Sequence, residues 1–381
     1  MGIFTGISGL KNIGIIGIGN LVGSAISGLF WIYLAALLGA ENYGELGYYI
    51  SIAGLATSIS FIGGPMAITV LTAKKIKIES TIYLLSITAS IVSSVVLYLA
   101  FTNIGLSVYV LGAVIYNLAA AELLGRKFYK KYSIYFISQK ILFVVFSLIF
   151  YYIIGPEGVL LGIGLSFLPF VERIYRGFKT TGLDFPLLKT KLKFISNNFF
   201  LDLSWIFERQ IDKLLIGPLF GFTILGNYYL AIQLLNMLAV FPEIVAKYTL
   251  PEDSSGTNTK KIKLLTVLFS VVLALIGIFI VPQVLPILFP EYAGTLEVIP
   301  IISLCIIPTT ISTLYISQFL GNEKSGHLVL TSITSIIVLV IGILSLGQMF
   351  GMFGLAYSLL ISDIVRAVML FLFTHFEKNH A

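Results

Sequence analysis

Apolar runs of roughly 18–25 residues recur along this chain from end to end, each long enough to cross bilayer hydrocarbon as a helix. No other feature narrows the fold as far. Inside hydrocarbon every backbone amide must be satisfied within the protein, so a span is either a helix or a strand of a closed barrel. The runs are continuous and lack the period of two that barrel strands need, which leaves helices. Composition agrees: 57% of the 381 residues are hydrophobic and 11% are charged. A soluble domain is about one quarter charged, so too few charges remain here to solvate a soluble surface.

The runs predict an all-α integral membrane protein with twelve helices, near 13–38, 46–71, 81–101, 106–125, 133–154, 158–174, 195–217, 222–246, 263–288, 296–320, 327–347 and 352–374. Connectors alternate in character. Those after odd-numbered helices ("GAENYGE", "TNIGL", "GPEG", "FGFT", "PEYAGT", "GQMFG") hold no Lys or Arg. Those after even-numbered helices hold "KKIK", "RKFYKK", Arg173 to Lys193, and Lys247 to Lys263. Basic loops stay cytoplasmic, so both termini are expected inside the cell membrane. The formal charge of +6 thus reports orientation and not nucleic acid. The N-terminus lacks a basic region followed by a small-residue cleavage site and is expected to lead into the first span. Four basic residues fall inside spans: Lys140, Arg209, Lys213 and Arg366. Intramembrane charge is functional until a structural account is found.

The chain contains a duplication. "LLGAENYGELGYYISIAGL" (37–55) matches "PLFGFTILGNYYLAIQLL" (218–235), with Gly39 and Gly44 answering to Gly221 and Gly226. The offset is 221 − 39 = 182 residues, almost half the chain. Six helices per half is an even number, so both halves enter from one side. That predicts two six-helix lobes related by an axis along the membrane normal, over 1–174 and 195–381, joined by a basic linker at 175–194.

These two hairpins, the segment "ERQIDKLLIGPLFGFTILGNYYLA" that opens the second half, and the short basic loops resemble the Wzx-like polysaccharide flippases. These are members of the multidrug/oligosaccharidyl-lipid/polysaccharide exporter superfamily. The resemblance covers essentially the whole chain and is strongest at 12–72 and 195–250. It implies two lobes around a central cavity and the movement of lipid-linked sugars from the inner to the outer leaflet. Relatives that flip cell-wall precursors place arginines in the first two spans, whereas residues 13–71 here contain no Lys or Arg.

The seventh span carries the most unusual pattern. At about 100° per residue, Asn198, Asp202, Trp205, Arg209, Asp212 and Lys213 fall within roughly 100° of one another, with Glu208 at the edge. A charge facing lipid at mid-depth costs roughly 2.5–3.5 kcal/mol, so a polar stripe needs a polar neighbour. Two accounts stand open. Arg209 and Asp212, three apart, can neutralise each other while Lys213 reaches the headgroups. Alternatively the stripe lines a wet cavity and offers Arg209 and Lys213 to the phosphates of a lipid-linked glycan, because guanidinium grips phosphate bidentately. Gln233 and Asn236 on the eighth span suit sugar hydroxyls or helix–helix hydrogen bonds. Lys140 is placed for snorkelling or for substrate contact, and Arg366 for a local pair with Asp363.

The sequence contains no GxxxxGK[ST] phosphate loop, so it is not expected to hydrolyse nucleotide, and the connectors on the side without Lys or Arg are short for an enzyme of glycan assembly. His327, His375 and His380 lie at loops or the tail without cysteine neighbours, so no metal or other cofactor is expected. The single Cys305 forbids an internal disulfide. Expected partners are membrane lipids, the lipid-linked glycan, and a coupling proton or sodium ion. The alternatives are a cation-coupled multidrug exporter of the same superfamily, which would look for a carboxylate in the first span, and a major-facilitator transporter. Residues 13–38 hold no carboxylate, and "TAKKIKIES" lacks the Gly-x-x-x-Asp-Arg pattern of the latter.

Overall fold

The computed structural model describes the backbone of residues 2–254, 259–321 and 325–380, and side chains over 14–246, 248–249, 259–319 and 326–375. Part of the predicted connector between Lys247 and Lys263, and the side chain of His380, lie outside the described residues. All described regular structure is helical: α1 (Gly2–Ser60), α2 (Gly64–Ala73), α3 (Glu79–Phe101), α4 (Ile104–Gly125), α5 (Tyr129–Ile154), α6 (Pro156–Leu165), α7 (Val171–Thr180), α8 (Phe185–Phe220), α9 (Phe222–Ser254), α10 (Lys260–Phe279), α11 (Val281–Leu288), α12 (Ala293–Leu304), α13 (Ile306–Gly321), α14 (Ser325–Gly342) and α15 (Gln348–His380).

Twelve passes follow from these helices. Among the described residues, eight helical stretches are long and apolar enough to cross a membrane, and two of them, Gly14–Ala73 and Gly326–His375, run to 60 and 50 residues. Each of those two is folded back by a glycine with non-helical backbone, Gly39 (φ 71°) and Gly351 (φ 56°), giving 8 + 2 = 10 passes. The pair α12–α13, bent by 44°, is the eleventh. Helix α8, 36 residues long and carrying Glu208, Arg209, Asp212 and Lys213 in its second half, is the twelfth. The protein is a multi-pass membrane protein, and the expected helices are present.

After odd-numbered passes the chain turns at Gly39, Gly155, Gly221 and Gly351, where the missing Cβ removes the left-handed penalty, and at Thr102 (φ 51°), all at positive φ. After even-numbered passes, α2 and α4 end instead on Lys75 (φ 58°) and Lys127 (φ 61°).

By contacts the chain forms two compact units. The first is Met1–Trp31 with Tyr49–Ile206, and the second is Ile32–Tyr48 with Phe207–Ala381. In the first, α4 starts at Asn103, whose side chain accepts from Leu106 N at 3.0 Å and so satisfies an orphan amide of the first turn. Helix α6 lies against α5 through Gly158 and Gly162, where an added Cβ would come within 2.1 Å of Phe150 O and 2.5 Å of Phe146 O. Small residues four apart let two backbones approach where no water drives association. Glu122 on α4, 1% exposed, accepts from Arg173 Nε and Nη2 at 2.8 and 3.0 Å, which ties α4 to α7.

The second unit has an apolar centre built around Ile216, Tyr228, Ile302, Cys305 and Leu355. Several polar groups of this unit pair with one another. Asn227 Oδ1 accepts from Thr295 N at 2.8 Å, Thr295 Oγ1 donates to Asn227 O at 2.8 Å, and Tyr292 OH donates to Ala35 O at 2.7 Å. Both duplicated turns, Gly39–Gly44 and Gly221–Gly226, belong to this unit. Their tyrosines pack there, with Tyr43 5.1 Å from Tyr229 and 6.3 Å from Tyr292 between ring centres.

Candidate functional site on helix α8

Helix α8 runs for 36 residues without a break, so the stripe foreseen in the sequence is a continuous helical register. Its first part belongs to the first unit and its second part, from Phe207, to the second. Arg209 stands 11 residues from the end at Phe220. At about 1.5 Å per residue that is roughly 16 Å, half the thickness of bilayer hydrocarbon.

In the first unit, Asp202 accepts a hydrogen bond from Ser58 Oγ at 2.6 Å, and its Cβ lies 3.2 Å from where a Cβ on Gly64 would be. Asn198 Nδ2 donates back to Phe194 O at 2.8 Å along its own helix. Trp205 is half-buried.

In the second unit four of the charges form two neutralised pairs. Lys213 Nζ donates to Asp212 Oδ1 at 2.8 Å and to Arg209 O at 2.5 Å. Asp212 Oδ2 accepts from Tyr228 OH at 3.1 Å, and Asp212 and Lys213 are only 5% and 7% exposed. Lys213 is thus held inside the protein and does not reach toward headgroups. The pairing of Asp212 with Arg209, allowed by their spacing, does not form. Glu208 accepts from Ser332 Oγ at 2.9 Å and Ser335 Oγ at 3.1 Å, and pairs with Arg366 Nη1 at 2.6 Å.

That last contact corrects the local pair expected between Asp363 and Arg366. Arg366 reaches across to α8, while Asp363 accepts from Thr309 Oγ1 at 3.1 Å. One turn of helix puts residues three apart within reach, yet a carboxylate on another helix with two serine donors beside it is the better acceptor. Sequence reasoning left out Ser332, Ser335, Tyr228 and Thr309. The available signal was Ser332 and Ser335, three apart on α14.

Arg209 differs from its neighbours. Its side chain is exposed, and among the described residues it makes no ion pair or side-chain hydrogen bond. Lys140 in the first unit has no carboxylate either, but it sits 5.4 Å from the Phe136 ring and 5.9 Å from the Phe143 ring, in cation–π range. Gln233 is half-buried and Asn236 exposed on α9. Of the four intramembrane cations, Arg209 alone lacks a described partner.

No known family's sequence profile matches the chain, and no curated protein matches it either. Solved structures do. An inward-facing multidrug resistance MATE family transporter of the MOP superfamily superposes with a TM-score of 0.74 at 15% identity, over 93% of this chain and 94% of that one. The outward-facing form of such a transporter gives 0.65 at 15% identity, over 96% and 95%. A MOP superfamily transporter from Pyrococcus furiosus gives 0.62 at 16% identity, also over 96% and 95%. The chain has the MATE transporter fold. That fold is a twelve-helix, two-lobe architecture, in agreement with the passes counted above. The polysaccharide-flippase resemblance names a different branch of the MOP superfamily from the two multidrug resistance transporters.

Proposed function

We propose that this protein is a flippase that moves a lipid-linked, phosphate-bearing oligosaccharide from the inner to the outer leaflet by alternating access, with Arg209 as the anchor for the phosphate. The observation that carries this reading is the exposed guanidinium of Arg209 at mid-depth of a membrane helix on which the neighbouring Glu208, Asp212 and Lys213 are paired. A guanidinium in that position needs an anion, and a phosphate diester or pyrophosphate offers paired oxygens at the right spacing. Lys213 and Asp212 brace Arg209 from below, since Lys213 Nζ caps the Arg209 carbonyl. Trp205, Asp202 and Asn198 continue along the same face of α8, and with Gln233, Asn236 and Lys140 they are candidates for the sugar. Arg366 holds Glu208 and acts through it. The polyprenyl tail stays in lipid while the two lobes rock. The basic connectors support a cell-membrane location with both termini in the cytoplasm.

The multidrug exporter reading has one observation in its favour. Asp363 is a membrane-embedded carboxylate whose one described hydrogen bond comes from the Thr309 hydroxyl, a group suited to holding a coupling proton or sodium ion. In the Pyrococcus furiosus transporter the reversed polarity of the binding pocket suggests a different function.

The test is a vesicle assay with a fluorescent polyprenyl-phosphate glycan, run beside a cationic drug-efflux substrate. Arg209→Ala is expected to slow glycan transfer about tenfold or more, the loss of one charge-assisted contact, and Arg209→Lys to retain part of the rate. Full transfer by both variants at equal abundance rejects the role of Arg209. Transport of the drug alone rejects the substrate class.

A further inference from the structure

The first unit holds a second basic feature, remote in sequence from α8. A cavity of about 500 Å³ opens where α2 and α4 end, lined by Thr72, Lys75, Lys77, Glu79, Arg126 and Lys127 among others. We propose that this cavity is a binding site for an anionic phosphate group, supplied by a phospholipid headgroup or by a soluble phosphate.

Charge is the first argument. The lining carries four basic side chains against one carboxylate, 4 − 1 = +3. Arg126 is engaged, with Nε 2.6 Å from Glu122 and Nη2 3.9 Å from Glu79. Lys75, Lys77 and Lys127 are exposed and make no ion pair among the described residues. Glu79 works against an anion, and three unpaired ammonium groups outweigh it.

Construction is the second argument. The ends of α2 and α4 are built alike. Ile76 N donates to Leu71 O at 3.0 Å and Lys75 N to Thr72 O at 2.9 Å, while Phe128 N donates to Leu123 O and Lys127 N to Leu124 O, both at 2.9 Å. Each is a Schellman cap with its left-handed residue at Lys75 or Lys127. Glycine fits that conformation without steric penalty, so a lysine there runs against the backbone's own preference. The two caps adjoin, since a Cβ on Gly125 would lie 2.7 Å from Thr69 O. Basic residues near helix C-termini also complement the helix dipole, but that role does not account for the third observation. Thr72, 6% exposed and part of the lining, has a hydroxyl without a hydrogen-bond partner among the described residues. A buried donor left open beside three free ammonium groups fits a phosphate oxygen.

The test uses the purified full chain in detergent, followed by thermal shift with inorganic phosphate, and in nanodiscs of phosphatidylcholine with and without phosphatidic acid. Stabilisation by phosphatidic acid alone assigns the site to a lipid headgroup, and stabilisation by inorganic phosphate as well assigns it to the phosphate group itself. In either case Lys75→Gly with Lys127→Gly removes both charges, relaxes both caps, and is expected to raise the midpoint concentration roughly thirtyfold. Lys75→Arg with Lys127→Arg is expected to keep it, and Lys77→Ala, in the irregular turn between helices, to weaken it to a lesser degree. A wild-type protein indifferent to both probes, or a double-glycine variant that responds as wild type does, overturns the proposal.

Discussion

Gly44 and Gly226 close on each other so tightly that neither position accepts a side chain. A Cβ on Gly44 would stand 2.0 Å from Phe222 O, and one on Gly226 would stand 1.8 Å from Ala40 O. The relation is reciprocal: each glycine faces the carbonyl four residues before the other, and 40 + 182 = 222 just as 44 + 182 = 226. The duplicated hairpins are therefore interlocked through their backbones. Both obstructing atoms are main chain, which cannot swing aside. Gly44→Ala and Gly226→Ala are each expected to destabilise by about 2–3 kcal/mol or to abolish folding. Gly17→Ala, with open space around it, is expected to be within about 0.5 kcal/mol of wild type. Fluorescence-detected size exclusion across a temperature series measures all three.

The Asp212–Lys213 pair separates breaking an ion pair from replacing it. Asp212→Asn leaves a buried ammonium without its anion and is expected to destabilise by about 3–5 kcal/mol. Asp212→Leu combined with Lys213→Met is expected to recover most of that loss, because the neighbouring core of Ile216 and Tyr228 is apolar. Thermal unfolding of purified protein in detergent distinguishes the two.

Arg209 and Arg366 are expected to part company in the same measurement. Arg209→Ala removes an exposed group without a described partner and should shift stability by less than about 0.5 kcal/mol while impairing glycan transfer. Arg366→Ala strands Glu208 against two serines and should destabilise by about 3 kcal/mol or more. Equal losses of stability for the two variants would remove the distinction between an anchor for substrate and a brace.

Tyr292 gives a pH dependence. Burial, together with the Glu291 carboxylate beside it, pushes its phenol well above the ordinary range, so the fold favours the neutral, donating form. Its contribution is whole below about pH 10 and declines as pH rises from there toward the raised value. Tyr292→Phe deletes the 2.7 Å bond to Ala35 O and should lower stability by about 1 kcal/mol near neutral pH while flattening the alkaline decline. Melting temperature measured across the alkaline range tests both halves of this expectation.

The sequence by itself determined the helices, their number and their turns. Hydrocarbon leaves a backbone no other regular form than the helix when apolar runs lack a two-residue period, and Gly39, Gly155, Gly221 and Gly351 mark turns because other residues resist positive φ. It also determined that α8 is polar along one face, since 100° per residue is a property of any α-helix. Tertiary structure decided which of those polar groups are neutralised. Spacing made Arg209–Asp212 and Asp363–Arg366 equally available, yet Asp212 went to Lys213 and Tyr228, and Arg366 went to Glu208 with Ser332 and Ser335 around it. Side-chain reach along a helix is legible from chain position, whereas the direction of a neighbouring helix is not. A buried charge pairs with whatever donors that neighbour presents, and at Arg209 the described residues present none.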